Sequence, residues 1–496
     1  MEPLVIGRKE FRDRVYACWL GKNIGGTLGG PWECRRYTHA LAFYEPVPKK
    51  AAPNDDLDLQ LVWLKMLEEA GTDPSVRTFA EYWGRYACRY PWNEYGFFMR
   101  NFARGLRPPV AGCFENYFVD EMGSPIRSEI WACLHAGDPQ AAARMAWKDS
   151  AVDHAGGEGT AGEMFWAAVE AAAFVEADPR RLIRLGLEMI PQASHIARSI
   201  REALWCWENG KTWGEARQRI ADRFGHLQPC NAVPNHGFTI IGWLYGKDFG
   251  DRLCKAVNCG YDTDCTGATL GSLLGILGGT AGIPARWRRP VGEGIVLHKF
   301  TGDCGAPKTL SELTRRTVAL AERAAKGKRE IRFGPAPRRP KDLLTRLFRT
   351  DLARQALAQD IHAGVELLPD GREVWFHYGG APVLWPGVGR EVRVTVPGVA
   401  AAKRGRPAVR ADLVAPKGWR VRRLGPARWL LEAPGPVADR NVVTVKVDGG
   451  AADFAVLGPG EAKGYPAGDN VPKCPTCQAR VEACMCKRKG LSDSSS

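Results

Sequence analysis

Apolar residues recur at helical spacing through the first two thirds of the chain. Within residues 57–70, for example, leucines at positions 57, 61, 64 and 67 fall on one helix face because they are three or four residues apart. The same spacing predicts helices at residues 141–147, 159–174, 179–190, 194–207 and 249–257. Strand-like alternation is absent before residue 331. Residues 1–330 are therefore predicted to be mainly helical.

The pattern changes after about residue 330. Residues 334–340 form a proline-rich linker, and residues 341–359 predict one further helix. Short runs rich in Val, Trp and Arg follow at residues 373–377, 391–396, 419–422, 428–432 and 441–447. Turns such as Pro369-Asp-Gly371 and Asp448-Gly-Gly450 separate them. This arrangement is typical of a small antiparallel β-sandwich.

These patterns divide the 496 residues into four parts, in line with a chain too long for one ordinary domain. Residues 1–330 form the helical domain, and residues 331–362 a linker with one helix. Residues 363–465 form the β-sandwich-like accessory domain. Residues 466–496 form a Cys-rich tail whose serine-rich end is predicted to be disordered.

The first residues, Met1-Glu-Pro-Leu4, lack the basic segment and apolar run of a secretory signal. The longest apolar stretch, residues 269–283, contains five glycines and is too short to span a bilayer. We therefore expect a cytoplasmic protein with no membrane partner. Fifteen cysteines then favour reduced thiols. Eleven of them, from Cys18 to Cys304, lie singly in mostly apolar contexts typical of buried, unreactive thiols.

Basic side chains are concentrated in the last third of the chain. Residues 331–496 hold 27 Lys and Arg against 16 Asp and Glu, which accounts for +11 of the net charge of +14. A basic surface attracts anionic partners, so residues 341–496 could bring the protein to nucleic acid. A solvated basic surface is the simpler explanation.

Glycines recur every four residues near the N-terminus, at Gly21, Gly25 and Gly29. They leave one helix face without side chains, at a cost of about 1 kcal/mol for each glycine in a helix interior. Close approach of another helix or a ligand would offset that cost. The helix is predicted to end at Gly30-Pro31, which leaves Glu33 on the following loop. Taken alone, this segment favours helix packing with a solvated Glu33.

Two acidic turns each precede a helical segment: Asn54, Asp55 and Asp56 in the first, Asp262 and Asp264 in the second. Helix capping explains either turn alone. Four carboxylates brought together would repel one another unless cations lay between them. Mg²⁺ and Mn²⁺ prefer such hard oxygen ligands. Together, the two turns predict a two-metal centre.

In combination, these segments resemble the signatures of the ADP-ribosylglycohydrolases. The resemblance rests on Gly21-x3-Gly25-x3-Gly29-x3-Glu33, the Asn54-Asp55-Asp56 turn and Gly260-Tyr-Asp-Thr-Asp-Cys-Thr-Gly267, in that order. It covers about residues 8–300. It implies an all-α orthogonal helical bundle that hydrolyses the glycosidic bond at C1 of an ADP-ribosyl group. ADP-ribose would be released from a modified protein or small molecule.

The resemblance also implies which residues act. It implies two Mg²⁺ or Mn²⁺ ions and makes Glu33 the catalytic glutamate. The family's metal ligands fall on Asn54, Asp55, Asp56, Asp262 and Asp264. Residues 122–127 and 149–159 resemble segments that line the substrate cleft, and residues 235–238 match a weaker one. They imply substrate contacts by Arg127, His154, Gly157 and Gly159. Without the resemblance, Arg127 is equally well interpreted as an arginine on a helix face, and His154 as a surface histidine.

Two positions depart from the family pattern. Asn54 stands where the family has Thr or Ser, but an amide oxygen can still bind Mg²⁺. Cys265 stands where the second turn usually carries a hydroxyl ligand, and a thiol is a poor Mg²⁺ ligand. Either Thr266 or water substitutes, the second ion binds weakly, or the site takes a softer ion. The predicted metal ligands therefore include Cys265 and Thr266.

The tail carries a CxxC…CxC set, formed by Cys474, Cys477, Cys484 and Cys486. Four thiolates on a short, Lys-rich tail predict a tetrahedral Zn²⁺ site. A loose thiol-rich tail and a redox pair at the CxxC are the alternatives.

Three functions are compatible with these features. The first is a metal-dependent ADP-ribosyl hydrolase. The second is a catalytically weak protein that binds ADP-ribose or a related nucleotide, an alternative that Cys265 supports. In the third, the basic sandwich and tail direct the hydrolase to nucleic acid.

Overall fold

The computed structural model describes residues 2–328, 330–397 and 410–460. Helices dominate its first part and pack around a buried apolar core. They are α1 (Arg8–Gly29), α2 (Asp55–Ala70), α3 (Val76–Tyr86), α4 (Asn93–Ala103), α5 (Val110–Cys113), α6 (Ser128–Leu134), α7 (Pro139–Ser150), α8 (Glu158–Ala173), α9 (Pro179–Glu188), α10 (His195–Glu208), α11 (Trp213–Phe224), α12 (Ala232–Tyr245), α13 (Phe249–Asn258), α14 (Thr263–Gly278), α15 (Ala285–Val291) and α16 (Leu310–Ala325). The predicted helical stretches are confirmed, as α2, α7, α8, α9, α10 and α13.

Helices α1 and α14 pack against each other along their glycines. A Cβ on any of the three spaced glycines of α1 would overlap a backbone carbonyl oxygen of α14: Gly21 that of Gly271, Gly25 that of Gly267 and Gly29 that of Thr263. These pairs run in opposite directions along the two helices, so the packing is antiparallel. The glycine stripe therefore serves helix packing, and the end of α1 meets the beginning of α14.

A short parallel ladder is present where the sequence pattern predicted no strand. β1 (Leu4–Gly7) pairs with β2 (Ile331–Gly334), so the expectation that strands are absent before residue 331 is wrong. Four residues are too few to show alternation, and the partner strand lies beyond the whole helical region. Part of the predicted linker therefore belongs to this ladder.

Residues 341–359 form two short helices, α17 (Leu343–Leu347) and α18 (Asp351–Leu357), so the prediction of a single helix there is wrong. The break falls at Thr350, whose φ of −127° and ψ of 4° lie outside the helical region.

Two antiparallel sheets follow. Their strands are β3 (Ala363–Leu367), β4 (Glu373–His377), β5 (Arg390–Thr395), β6 (Ala411–Val414), β7 (Arg420–Gly425), β8 (Arg428–Glu432), β9 (Arg440–Val447) and β10 (Gly450–Leu457). One sheet has the order β3-β4-β5-β8-β7 and the other β10-β9-β6. Phe376 of the first stacks on Phe454 of the second, with ring centroids 5.1 Å apart. The predicted β-sandwich is confirmed.

Ionic hydrogen bonds hold the β-sandwich against the helices. Glu366 on β3 accepts from Arg77 Nε at 2.8 Å and from Arg107 Nε. Arg104 Nη2 donates to Asp439 Oδ1 at 2.6 Å. These bonds join the sandwich to the end of the helical region that carries α3, α4 and the residues following α4. Among the described residues, no helix has the length and apolar character needed to cross a bilayer.

Candidate metal centre

The antiparallel packing of α1 and α14 brings Glu33 next to the second acidic turn. A 3-10 turn (Gly30–Trp32) carries the chain from α1 to Glu33. Asp262 and Asp264 lie at the beginning of α14, where the Thr263 hydroxyl donates to the last backbone carbonyl of α1 at 2.9 Å. Carboxylate oxygens of Glu33, Asp262 and Asp264 lie within 4.8 Å of one another.

The first acidic turn reaches the same place through α2. Asn54 caps this helix, since its Oδ1 accepts from Asp56 N at 2.8 Å. The two aspartates are therefore not needed as caps. Asp55 Oδ2 accepts from Trp92 Nε1 at 2.6 Å, and an Asp56 carboxylate oxygen lies within 4.8 Å of one from Asp264. The two acidic turns meet at one centre.

A buried cation lies behind Asp56. Lys22 Nζ is 2.8 Å from Glu129 Oε1 and 3.6 Å from Asp56 Oδ1, and all three side chains are fully buried. Burial opposes the charge on Lys22, but Glu129 and Asp56 more than offset it and raise the lysine pKa. Gln60 also donates to Glu129, at 2.7 Å. One lysine fixes Asp56 without neutralising the other carboxylates.

Three buried oxygens of the centre have no hydrogen-bond partner among the described residues. Asp56 Oδ1 does face Lys22 Nζ at 3.6 Å, so the oxygens with neither a hydrogen bond nor an ion pair in the described part of the chain are Asp262 Oδ1 and Asp264 Oδ1. Burial and the charge of Asp264 raise the pKa of Asp55 to about 6. Burial also raises the pKa of Asp56 and of Asp262 well above the usual range. Buried acceptors of this kind need a proton or a cation. Their hard oxygens fit Mg²⁺ or Mn²⁺.

Cys265 and Thr266 occupy different positions relative to the carboxylates. The Cys265 sulfur lies 3.7 Å from Asp56 Oδ2 and within 4.8 Å of a carboxylate oxygen of Asp264. The Thr266 hydroxyl donates to the Thr263 carbonyl at 3.3 Å, along the helix backbone. The structure thus places a sulfur among the oxygens. Metal ligation by Thr266 stays a prediction.

Arg127 and His154, expected to contact the substrate, lie in a fully buried polar cluster. The Arg127 guanidinium donates to both carboxylate oxygens of Asp153, at 2.9 and 3.0 Å, and lies 2.9 Å from Asp149. His154 Nδ1 is 2.9 Å from Asp153 Oδ1. Neither side chain has accessible surface, so the interpretation of His154 as a surface histidine is wrong. Because both side chains are buried, we expect them to hold neighbouring groups in position. Substrate contact by either residue stays a prediction.

Gly157 and Gly159 lie at the beginning of α8, against the segment that contains Val119. Gly159 N donates to Val119 O at 3.1 Å, and a Cβ on Gly157 would overlap the same carbonyl. Packing alone therefore requires these two residues to be small. Their proposed role in substrate binding stays a prediction.

Three further side chains hold the acidic turns: Lys22, Trp92 and Asn235. Asn235 belongs to the weaker matching segment, residues 235–238, whereas sequence patterns did not identify Lys22 or Trp92. Asn235 Oδ1 accepts from Asp262 N at 3.1 Å, which orders the second turn. The sequence does set Lys22 apart, because it is the one charged residue in the glycine-rich half of α1. No sequence pattern marks Trp92, because its contact with Asp55 depends on tertiary packing.

Comparison with known proteins identifies the class to which this fold and centre belong. The family model described as ADP-ribosylglycohydrolase matches residues 7–327. The chain therefore belongs to the ADP-ribosylglycohydrolase family, whose members are hydrolases that act on ADP-ribosylated substrates. A solved structure named "ADP-ribosylglycohydrolase-related protein complex" is 20% identical, with a TM-score of 0.40. That match covers 64% of this chain and 99% of the other. None of the curated proteins compared with the chain matches it.

The predicted zinc ligands Cys474, Cys477, Cys484 and Cys486 lie outside the described residues. Zinc binding by the tail stays a prediction, as does nucleic-acid binding by the basic third of the chain.

Proposed function

We propose that this chain is a metal-dependent ADP-ribosyl hydrolase that cleaves the glycosidic bond at C1 of the distal ribose and releases ADP-ribose. One observation carries the proposal: Glu33 lies beside Asp262 and Asp264, Asp264 lies beside Asp56 of a second helix N-terminus, and buried oxygens of Asp262 and Asp264 lack a hydrogen-bond partner in the described part of the chain. Family membership supports the substrate class.

The residues that would hold two Mg²⁺ or Mn²⁺ ions are Asn54, Asp55, Asp56, Asp262 and Asp264, with Cys265 or Thr266 at the second ion. When bound, the ions would hold ribose hydroxyls and lower the pKa of a water molecule. The protein orders these ligands through residues around them. Lys22 fixes Asp56, and Trp92 fixes Asp55.

Glu33 is half-buried at the edge of the centre, where it can exchange a proton with water or with the leaving group. In hydrolysis a water oxygen forms the new bond to C1, while the bond from C1 to the nitrogen or oxygen of the leaving group breaks. Glu33 either takes the proton from that water or protonates the leaving atom. Nearby carboxylates stabilise the positive charge that develops on the ribose ring.

The test is release of ADP-ribose from ADP-ribosylated arginine and serine peptides by the full chain with Mg²⁺ or Mn²⁺. We expect the Asp55→Asn and Asp264→Asn variants to lose at least about 100-fold in activity, because each loses a ligand charge but keeps its shape. Asp222→Asn, which changes an exposed aspartate, is the matched control. No release from either peptide, or equal release by all variants, would contradict the proposal for these substrates.

One observation favours a second function, in which the protein binds ADP-ribose without turnover. The Cys265 sulfur lies beside Asp56 where the resemblance leads one to expect a hydroxyl ligand. Calorimetry separates the two functions. Tight ADP-ribose binding without release from the peptides supports the binding protein, whereas metal-dependent release excludes it.

A further inference from the structure

Glu33 also lies in a second cluster of side chains of the types that ligate metals, and this cluster contains two thiols. Cys34 Sγ lies 3.7 Å from Glu33 Oε1, and Cys230 Sγ completes a trio whose ligand atoms lie within 4.8 Å of one another. Cys34 directly follows Glu33, whereas Cys230 directly precedes the cap residue of α12, Asn231. Both cysteines are half-buried. The expectation of single, buried thiols is therefore wrong for this pair, and the expectation of burial is also wrong for Cys88, which is exposed.

The backbone holds these thiols in position. Cys34 has a φ of +66°, and Tyr261, just before the second acidic turn, has a φ of +69°. Residues other than glycine rarely adopt this region unless neighbouring contacts impose it. Here Cys34 N donates to Tyr261 O at 2.9 Å, and Tyr261 N donates to Arg35 O at 2.7 Å. On the other side, Cys230 O accepts from Met122 N at 2.8 Å.

Negative charge surrounds the two thiols. Asp262 is only 2% exposed, and its Oδ1 has no hydrogen-bond partner among the described residues. A carboxylate oxygen of Glu33 lies within 4.8 Å of one from Asp262, so two carboxylates adjoin the thiols. A divalent cation between these groups would relieve the crowding of negative charge.

We propose that Glu33, Cys34 and Cys230 bind one thiophilic divalent cation such as Zn²⁺. Zn–S bonds of about 2.3 Å and Zn–O bonds of about 2.0 Å place neighbouring ligand atoms about 3.5–3.8 Å apart in a tetrahedron. The Glu33–Cys34 distance of 3.7 Å is already close to these values, and the distances to Cys230 Sγ, at most 4.8 Å, need to shorten by no more than about 1.3 Å. Two thiolates and a carboxylate leave the fourth position for water. Mg²⁺ binds thiols poorly and stays with the aspartates.

A cation held in this way takes Glu33 as a ligand. Glu33 is then unable to exchange a proton during hydrolysis, so the cation inhibits the enzyme without displacing Mg²⁺. This consequence rests on the proposed function, whereas the binding of the cation does not.

Co²⁺ tests the site independently of hydrolysis, because thiolate ligation gives it a charge-transfer absorption band. The full chain is used in reduced form, with the four tail cysteines replaced by serine and the remaining thiols counted by titration. With Mg²⁺ in excess to occupy the aspartate centre, we expect one thiolate-bound Co²⁺ per chain and a band that Zn²⁺ abolishes. Cys34→Ser and Cys230→Ser should each lose the band, and Glu33→Gln should bind Co²⁺ about tenfold more weakly.

Two other thiols serve as controls. Cys88→Ser, at an exposed cysteine, and Cys265→Ser, in the aspartate centre, should both keep the band. Circular dichroism identifies any variant that fails to fold. The proposal is then judged on the folded variants among Glu33→Gln, Cys34→Ser and Cys230→Ser. A fully reduced chain without the band overturns the proposal. The proposal is also overturned if the band survives in the folded Cys34→Ser and Cys230→Ser variants. Loss of the band in the Cys265→Ser variant would overturn it as well.

The inhibition is tested only where hydrolysis is measurable. Zn²⁺ should inhibit the parent chain, and inhibition of the Cys230→Ser variant should require at least about tenfold more Zn²⁺. A cobalt band without inhibition overturns the regulatory consequence alone. A chain that shows the band but hydrolyses nothing contradicts the proposed function and leaves the cation site intact.

Discussion

Cys265 places a soft sulfur among the hard oxygens that would bind Mg²⁺. Its sulfur lies 3.7 Å from Asp56 Oδ2, at the beginning of α14. Serine differs from cysteine by one atom, so exchanging the two tests the ligand chemistry with little change in packing. Oxygen ligands favour Mg²⁺, and sulfur ligands favour softer ions such as Zn²⁺ or Cd²⁺.

The Cys265→Ser variant should therefore bind Mg²⁺ about tenfold more tightly and Cd²⁺ more weakly than the parent chain. Isothermal titration calorimetry with each ion measures both changes. Cys265→Ala removes the sulfur without adding an oxygen, so it should not gain Mg²⁺ affinity. Equal Mg²⁺ affinities for the serine and alanine variants would show that this position is not a ligand.

At the scale of elements, the contact between α1 and α14 determines whether the centre forms. Backbone lies directly against backbone at Gly21, Gly25 and Gly29, so side chains cannot be added there without moving a helix. Any such movement would shift Glu33 relative to Asp262 and Asp264.

The Gly25→Ala variant should be destabilised by at least about 1–3 kcal/mol, because its methyl group would overlap the Gly267 carbonyl. Urea unfolding measures this loss. Gly278→Ala, in α14, is the control, because nothing lies within 4 Å of the added Cβ. It should be neutral or slightly stabilising, since alanine favours helix over glycine. Similar losses in both variants would mean that close packing is not the cause.

The elements that the sequence predicted well are those whose signal is local. The six helices predicted from apolar spacing have ten residues or more, and the five predicted strands are bounded by turns, so their periodicity is visible without reference to partners. β1 and β2 do not, because four residues become a strand only when the distant partner is present. The same distinction holds in the centre. The acidic turns and Glu33 are visible as motifs, whereas the contact of Trp92 with Asp55 and the meeting of Cys34 with Cys230 arise only from packing.

Buried histidines couple the stability of the whole molecule to pH. Burial lowers the pKa of His236 to about 4, against about 6.5 in an unfolded chain. Burial also lowers the pKa of His135. At these two histidines the unfolded chain therefore binds more protons than the folded one between pH 6.5 and pH 4. Their contribution to the free energy of unfolding falls as the pH falls through this window, whereas the buried carboxylates of the metal centre, whose pKa values are raised, contribute in the opposite direction.

His236 should contribute on the order of 3 kcal/mol above pH 6.5, and this contribution should disappear near pH 4. The His236→Gln variant cannot take up the proton, so the difference between its free energy of unfolding and that of the parent chain should shift in favour of the variant as the pH falls from about 7 to 5. Urea unfolding at several pH values measures the slope. His195→Gln, at an exposed histidine, should keep the slope of the parent chain. If the pH dependence of the free energy of unfolding is unchanged in His236→Gln, its assignment to His236 is contradicted.

The pairing of β1 with β2 has a practical consequence for dividing this protein. It places the start of the helical unit beside the residues that follow its last helix, and Arg338 adds a further backbone bridge to Val5. A fragment cut at residue 330 would leave β1 with an unpaired edge, the kind of surface that promotes aggregation. A fragment that continues through Arg338 would keep the edge paired. Because the two ends are adjacent in space, a short linker between them should also allow new chain ends to be opened elsewhere.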